Sequence, residues 1–307
     1  MDKLKDRFPF HLFLMVLAMF LSMTTIVLAT VPLFLLRASA GRAAYYTYSI
    51  LVVLLMGFLQ GFEFVIPISA CILLVGVFHE ARLLTCNVFQ SGFASLLVVL
   101  GSLCLVLASL IRFQGLDLIA YATQKLELLL SPLKEVQPDM VLDTNKILMQ
   151  MPSAIVMIFM ISLWLGIVGR SFLVKKYKIV ASHLDKQDCE AIQKFDGTKF
   201  HLPSSLIWPA LIFMALSFLD LQQENLQVIA SNFLNIFIVL YFFQGIALVA
   251  YLFRAMEMGA FWQWFWYILL VLHMFLLVSS IGFADYWINF REKINRHFLK
   301  AREGRLK

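Results

Sequence analysis

The chain has 307 residues, of which 61% are hydrophobic and 14% charged, and its mean hydropathy is +0.84. A soluble chain carries about 25% charged residues, and so small a share cannot cover this much apolar surface. Two ordinary soluble domains are excluded, and most of the chain is expected to take lipid as its solvent. The net charge of +6 would suit nucleic acid in a soluble domain. Here the basic residues flank apolar runs, where they meet anionic headgroups, and no basic patch interleaved with aromatics points to nucleic acid. Cys71, Cys86, Cys104 and Cys189 form no CxxC pair, so neither a disulfide framework nor a zinc site is expected.

A helix crosses the hydrocarbon layer with about 20 apolar residues. In chain order the candidate spans lie near 10–36, 43–60, 63–78, 88–111, 152–170, 203–219, 226–253 and 260–284. They lack the alternation of barrel strands, and within lipid every backbone group must be satisfied internally, so they are helices. The expected fold is all-α: a polytopic transmembrane helix bundle of about eight spans in a single integral membrane domain. The first run is too long for a signal core and ends without a small-x-small cleavage site, so no cleavable signal is expected. Gln60-Gly61-Phe62-Glu63 separates the second run from the third. A tight turn between two short spans is favoured there over one long broken helix, and a second break is expected near Asp220 to Asn225. Pro152 and Pro203 are expected to open their helices.

Between the spans, residues 112–150 carry charges too closely spaced for insertion. Leu126, Leu129, Leu130 and Leu133 recur at helical spacing, which predicts an amphipathic segment outside the hydrocarbon layer. Residues 171–201 form a polar basic loop that begins Lys175-Lys176-Tyr177-Lys178, and 286–307 form a basic tail. Eight crossings put Arg37, Arg42, Arg82, Arg170 to Lys199 and Arg254 on one side. The tail, Lys3, Lys5, Arg7 and the 112–150 charges fall on the other. The positive-inside rule leaves this near a tie, with a lean toward cytoplasmic termini.

Several polar groups fall in or beside these runs, where they are costly and begin as functional candidates. Glu63, with Gln60, ends the Gly57-x-x-x-Gly61 pattern that permits close helix approach. It is either a pocket carboxylate or a turn carboxylate at the membrane edge. His79-Glu80-Ala81-Arg82 lacks the second histidine of HExxH, since position 83 is leucine, and reads as an interfacial cluster. Asn87 caps the next helix or faces a pore. Asn232, Asn235 and Gln244 share one helix, and they either bind neighbouring helices or line a cavity. His273 stands alone in mid-span and reads as a hydrogen-bonding group. Trp262, Trp264, Trp266 and Tyr267 read as an interfacial anchor. Asp285, Trp287 and Arg291 form an interfacial belt or a docking edge for a membrane or cytoplasmic protein partner.

The motifs near the end resemble those of the YybS-like family, bacterial integral membrane proteins of unassigned biochemical role. Gln244-Gly245 lies within Tyr241-Phe-Phe-Gln-Gly-Ile-Ala-Leu-Val-Ala, and the last span ends Gly282-Phe-Ala-Asp285-Tyr-Trp287-Ile-Asn-Phe290-Arg291. The proline-opened span at Pro152, the basic loop and Leu202-Pro203 with Trp208 extend the resemblance over roughly residues 10 to 291. The resemblance implies a multi-pass protein of the bacterial cytoplasmic (inner) membrane. It also implies N-terminal helices similar to the substrate-capturing S-components of energy-coupling-factor transporters.

No G-x-S-x-G, Walker A, Rossmann glycine triplet or HExxH occurs, so no catalytic residue, cofactor or metal is expected. Two function classes remain. In the first, a transporter-like component captures a small ligand of unknown identity between helices, with Gln60, Glu63, Asn87, Asn235 and Gln244 as candidates. In the second, a non-transporting scaffold recruits partners at the bilayer.

Overall fold

A computed structural model describes residues 2–85, 87–115, 117–136, 143–184, 186–219 and 223–305. Their side chains are described except at 2–7, 60, 62–63, 85, 114, 133–136, 186–187 and 298–305. The described residues form helices and no strands, as an all-α polytopic bundle requires. Five helices hold segments long and apolar enough to cross a membrane: Ile26–Leu59, Phe64–Leu84, Val88–Phe113, Thr144–Lys176 and Glu224–Ala255. Phe8–Thr24 and Ser204–Phe218 are shorter apolar helices, and Ala260–His273 with Phe275–Ile288 make one bent pair. The sequence suggested one membrane domain. The chain divides into two compact units, Met1–Phe195 and Asp196–Lys307.

The first unit contains α1 (Asp2–Thr24), α2 (Ile26–Gln60), α3 (Phe62–Thr85), α4 (Val88–Gln114), α5 (Leu118–Val136), α6 (Thr144–Lys176) and two short helices, α7 (Lys178–Ser182) and α8 (Lys186–Lys194). The apolar run 10–36 is not one span. It is broken at Thr25, whose backbone is extended (φ −149°, ψ 95°). A second break divides α2 at Gly41, and a third separates α2 from α3 at Gly61. These residues have φ of +77° and +82°, a region glycine enters without the Cβ penalty. The Gly61 break falls within the expected turn.

Helix α6 begins earlier than the sequence suggested. Asp143 accepts from the N–H groups of Asn145 and Lys146, so the cap sits at 143 and Pro152 lies inside the helix. Residues 144–150 thus belong to α6 rather than to the amphipathic connection. That connection is α5, which buries Leu126 and exposes Ile119, Leu128 and Leu129. The core of this unit is built from α1, α2, α3 and α6, through Leu14, Leu33, Phe34, Tyr45, Leu74, Phe78 and Leu163. Thr30 Oγ1 ties α2 to α6 by donating to the Ser162 carbonyl at 2.6 Å.

The second unit contains α9 (Ile207–Phe218), α10 (Glu224–Ala255), α11 (Ala260–His273), α12 (Phe275–Ile288) and α13 (Phe290–Arg305). Phe213 of α9 stacks on Phe233 of α10 with centroids 4.5 Å apart. The run 258–284 bends by 99° at Met274, as a broken span or a re-entrant loop does. The contacts of its two limbs define the path. Tyr267 of α11 meets Phe253 near the end of α10, whereas Phe275, just past the bend, meets Phe242 at the middle of α10. From there α12 runs parallel to α10: Ser279 Oγ donates to Ile238 O, Gln244 Nε2 to Asp285 Oδ2, and Tyr251 Oη to Asn295 Oδ1. The chain therefore descends along α11 to the level of mid-α10 and returns along α12 as a re-entrant loop. His273 ends α11 at the bend and is exposed.

Asp196 opens the second unit. Its carboxylate receives two hydrogen bonds from Arg254, at 2.8 and 3.1 Å, and accepts from the Thr198 N–H at 3.2 Å. The Arg254 guanidinium holds its pKa down at about 2, against the opposing effect of burial, and the bonds from Thr198 help. A carboxyl depressed on folding stabilises the fold above its unfolded pKa and ceases to as pH falls through the folded value. Asp196→Asn should therefore cost on the order of 1 kcal/mol or less at pH 7, because Arg254 is largely exposed and the pair is screened. The difference from wild type should shrink between about pH 4 and pH 2. Urea unfolding at stepped pH checks this, and an unchanged gap at pH 2 would assign the cost to something other than the ion pair.

Candidate functional site

The sequence candidates are distributed over both units. The side chains of Gln60 and Glu63 lie outside the described residues, and their backbone positions flank the Gly61 break. Asn87 is exposed and serves as the N-cap of α4, accepting from the Phe89 N–H at 3.0 Å. Asn235 is half-buried on α10.

Gln244 is 1% exposed and committed to protein partners. Its Oε1 accepts from the Leu202 N–H at 3.1 Å and its Nε2 donates to Asp285 at 3.4 Å. Asp285 is 2% exposed, so it is not part of a surface docking edge. It accepts from the Phe290 N–H at 3.0 Å and from Arg291 Nη1 at 3.1 Å. Arg291 Nη2 donates to the Phe200 carbonyl at 2.8 Å. The left-handed residue Asn289 (φ 51°) turns the chain between α12 and α13 and brings Arg291 back onto Asp285. The resulting clamp joins α10, α12, α13 and the segment entering α9. Its carboxylate, amide and Nη groups are committed to one another, and the buried Arg291 Nε has no hydrogen-bond partner. Of the expected docking trio, Trp287 is the exposed member, at 54%.

The group that sequence spacing did not assemble lies in the first unit. Arg37, His79 and Arg170 stand near the C-terminal ends of the first limb of α2, of α3 and of α6. Helix C-termini carry partial negative charge and favour cations. Arg37 Nη2 donates to Glu80 Oε1 at 3.1 Å, and Arg42 Nε lies 3.3 Å from the same oxygen. One carboxylate thus holds arginines from both sides of the Gly41 break. Arg37 is 8% exposed, and its Nε has no hydrogen-bond partner.

Beside this fork, Arg170 Nη1 lies 3.2 Å from His79 Nε2, and His79 Nδ1 lies 3.1 Å from the Val75 carbonyl. A ring that donates at Nδ1 and accepts at Nε2 is a neutral imidazole. The Arg170 guanidinium sits over the Phe34 ring, 4.7 Å from its centroid, and 5.8 Å from that of Phe78. Among the described residues no carboxylate forms an ion pair with it; Arg82 and Asp188 act on it from further away. The sequence signal for this cluster was the charge closing each apolar run. The convergence of three run ends is a property of the fold.

Among the described residues no group of three or more His, Cys, Asp or Glu could hold a metal ion. The arrangement can bind and orient an anion, and it contains no nucleophile paired with a base. A family model described as "Predicted membrane protein (DUF2232)" matches residues 10–286. No curated protein and no solved structure matches the chain.

Proposed function

Because this chain belongs to the DUF2232 family of predicted membrane proteins, we propose that it captures a small anionic ligand in its first unit, as a transporter-like component. Its place is the bacterial cytoplasmic membrane, which it crosses several times, and it acts without catalytic chemistry or a cofactor. Arg170 carries the reading. A charged side chain within a span costs about 2.5–3.5 kcal/mol on insertion scales and is retained where something offsets it. Here the immediate partners are a neutral histidine and two aromatic faces. These supply a cation–π attraction, and among the described residues no carboxylate forms an ion pair with the guanidinium. A ligand anion completes the site.

Two further observations support capture. Discontinuous helices that meet within the layer recur in transporters, and α11 and α12 form such a pair. The YybS-like resemblance, with its likeness to substrate-capturing S-components, points the same way. The exposed aromatic face of α11, with Phe261 and Trp264 at 76% and 61% exposure, favours a second reading as a scaffold that recruits a membrane partner.

Thermal unfolding of the purified full chain in detergent tests capture. Inorganic phosphate, sulfate and acetate are titrated against chloride at constant ionic strength. A bound ligand at a hundred times its Kd adds about 2.7 kcal/mol, so at least one anion should raise Tm saturably by several degrees. Arg170→Met keeps the apolar contacts and removes the charge. It should unfold no earlier than wild type in the ligand-free state and lose the anion response. If every anion leaves Tm where chloride leaves it, the capture reading fails.

A further inference from the structure

The geometry points to α5 as an interfacial helix: one side packs on the bundle, a second faces water, and a third lies in the boundary between the headgroups and the acyl chains of one leaflet. The inference stands independently of anion capture. Side chains three and four apart share a face of a helix, and this spacing sorts α5 into three stripes. Leu126 is buried, and Leu118, Ala122 and Leu130, at intervals of four from it, are half-buried. Helix α6 packs against α5. Gln124, Glu127 and Ser131 make a second stripe, polar and exposed. Tyr121, Lys125 and Leu128 make the third, and Leu129 lies between it and the buried stripe. Leu128 and Leu129 are 65% and 73% exposed. Ile119 is the exception, exposed in the first turn on the side that Leu126 buries.

The connection to α4 says what covers the third stripe. Val88–Phe113 is long and apolar enough to cross the layer, and its side chains Leu105 and Phe113 are exposed as a lipid-facing surface requires. Gly115 ends α4 in the left-handed region (φ +63°). Asp117 then caps α5 by accepting from the Ile119 and Ala120 N–H groups at 3.0 and 3.1 Å. Three residues, 115–117, separate the two helices, too few to carry α5 away from the end of the span. The exposed leucines of α5 therefore continue the lipid-facing surface of α4, and the surface they meet is the leaflet. The Lys125 ammonium lies over the Tyr121 ring, 5.6 Å from its centroid. Both side chains suit this boundary, because each joins an apolar body to a polar tip. An amphipathic helix of this kind sinks its apolar side about 5–10 Å into the boundary. Sequence spacing put the segment outside the hydrocarbon layer; Leu128 and Leu129 instead reach its edge.

Nitroxide labels read the environment of each stripe in the full chain in nanodiscs. Oxygen concentrates in lipid and a charged nickel chelate stays in water, so lipid, water and protein each leave a different signature. Labels are placed at Leu128→Cys, Leu129→Cys, Gln124→Cys, Glu127→Cys and Ser131→Cys, with Leu105→Cys on α4 as the lipid reference. The background is a chain with its four cysteines replaced by serine and the Tm of the wild type. The ratio of oxygen to nickel accessibility should rise severalfold from Glu127→Cys to Leu128→Cys and Leu129→Cys, and fall again at Ser131→Cys. A ratio at both leucine positions as low as at Glu127→Cys puts the stripe in water and overturns the inference. Labels there that neither reagent reaches are covered by protein, a second copy included, and overturn it too. A ratio as high as the Leu105→Cys reference at every position means a fully embedded helix and does the same. If the cysteine-free chain does not fold, Leu128→Trp and Ser131→Trp are compared in the native chain, in lipids brominated near the carboxyl end of the acyl chains. The fluorescence added over wild type should be quenched for Leu128→Trp and spared for Ser131→Trp, and equal quenching overturns the inference.

Discussion

Gly282→Ala should keep the second unit from assembling. At the crossing of α10 and α12, a Cβ on residue 282 would strike the Tyr241 carbonyl oxygen and lie 2.7 Å from the Gly245 nitrogen. Residue 245 faces the same problem in reverse, since its Cβ would strike the Val278 carbonyl and lie 2.9 Å from that carbonyl carbon. These obstacles are backbone atoms, which cannot rotate away. The helices must separate, and separation breaks the Ser279–Ile238 bond and draws Gln244 from Asp285. Overpacking costs about 1–3 kcal/mol and each stranded buried polar group about 1–3 kcal/mol more. The sum falls in the exceptional range of single substitutions. Small residues at helix crossings serve this close approach in lipid, where burial of apolar surface between helices gains little over contact with lipid tails. Gly101→Ala in α4, with nothing within 4 Å of its added Cβ, is the matched control and should be neutral or slightly stabilising. The measurement is the monodisperse yield and Tm of each variant in detergent. Equal behaviour of the two alanine variants would contradict the close crossing.

Asp285→Ala should be nearly as damaging, for an electrostatic reason. It leaves the Arg291 guanidinium, 22% exposed, without its carboxylate, and strands the Gln244 amide and the Phe290 N–H. Removing one partner of a buried pair costs about 3–5 kcal/mol, whereas replacing both by apolar groups is often close to neutral. Asp285→Leu combined with Arg291→Met should therefore unfold later than Asp285→Ala alone. A double-mutant cycle through Asp285→Ala and Arg291→Ala should show coupling well above the few tenths of a kcal/mol expected for independent sites. Additive losses would mean that the clamp is incidental.

The apolar runs made the all-helical membrane architecture legible, and Gly61 marked a break because a positive φ has a compositional signature. The same holds for the break between Phe218 and Glu224, where polar residues interrupt the hydropathy. Gly41 lies in the gap expected between the first two runs, whereas the breaks at Thr25 and Met274 stayed hidden. Thr25 and Met274 sit inside apolar stretches, and a bend made by tertiary contacts leaves no polar mark in a chain whose solvent is lipid. The candidate site shows the converse limit. Each of Arg37, His79 and Arg170 is visible as the charge that closes an apolar run, and only the convergence of three helix ends makes them one group. Gln244, Asp285 and Arg291 were visible as a motif, but their role is set by the left-handed turn at Asn289, which folds Arg291 inward rather than presenting it outward.

The re-entrant path of α11 and α12 changes the sidedness of the C-terminus. A full crossing between α10 and α13 would put the tail in the compartment opposite Arg254. Each limb has 14 residues, about 21 Å of helix, short of the roughly 30 Å hydrocarbon layer. The Tyr251–Asn295 bond brings α13 back beside the end of α10. Lys199, Arg254, Arg291, Lys293 and Arg296 then belong to one leaflet surface of the second unit. The positive-inside rule predicts that this surface faces the cytoplasm. Single cysteines at Glu257 and Lys293 should accordingly be labelled from the same side of sealed vesicles by a reagent that does not permeate, and labelling from opposite sides would restore a full crossing.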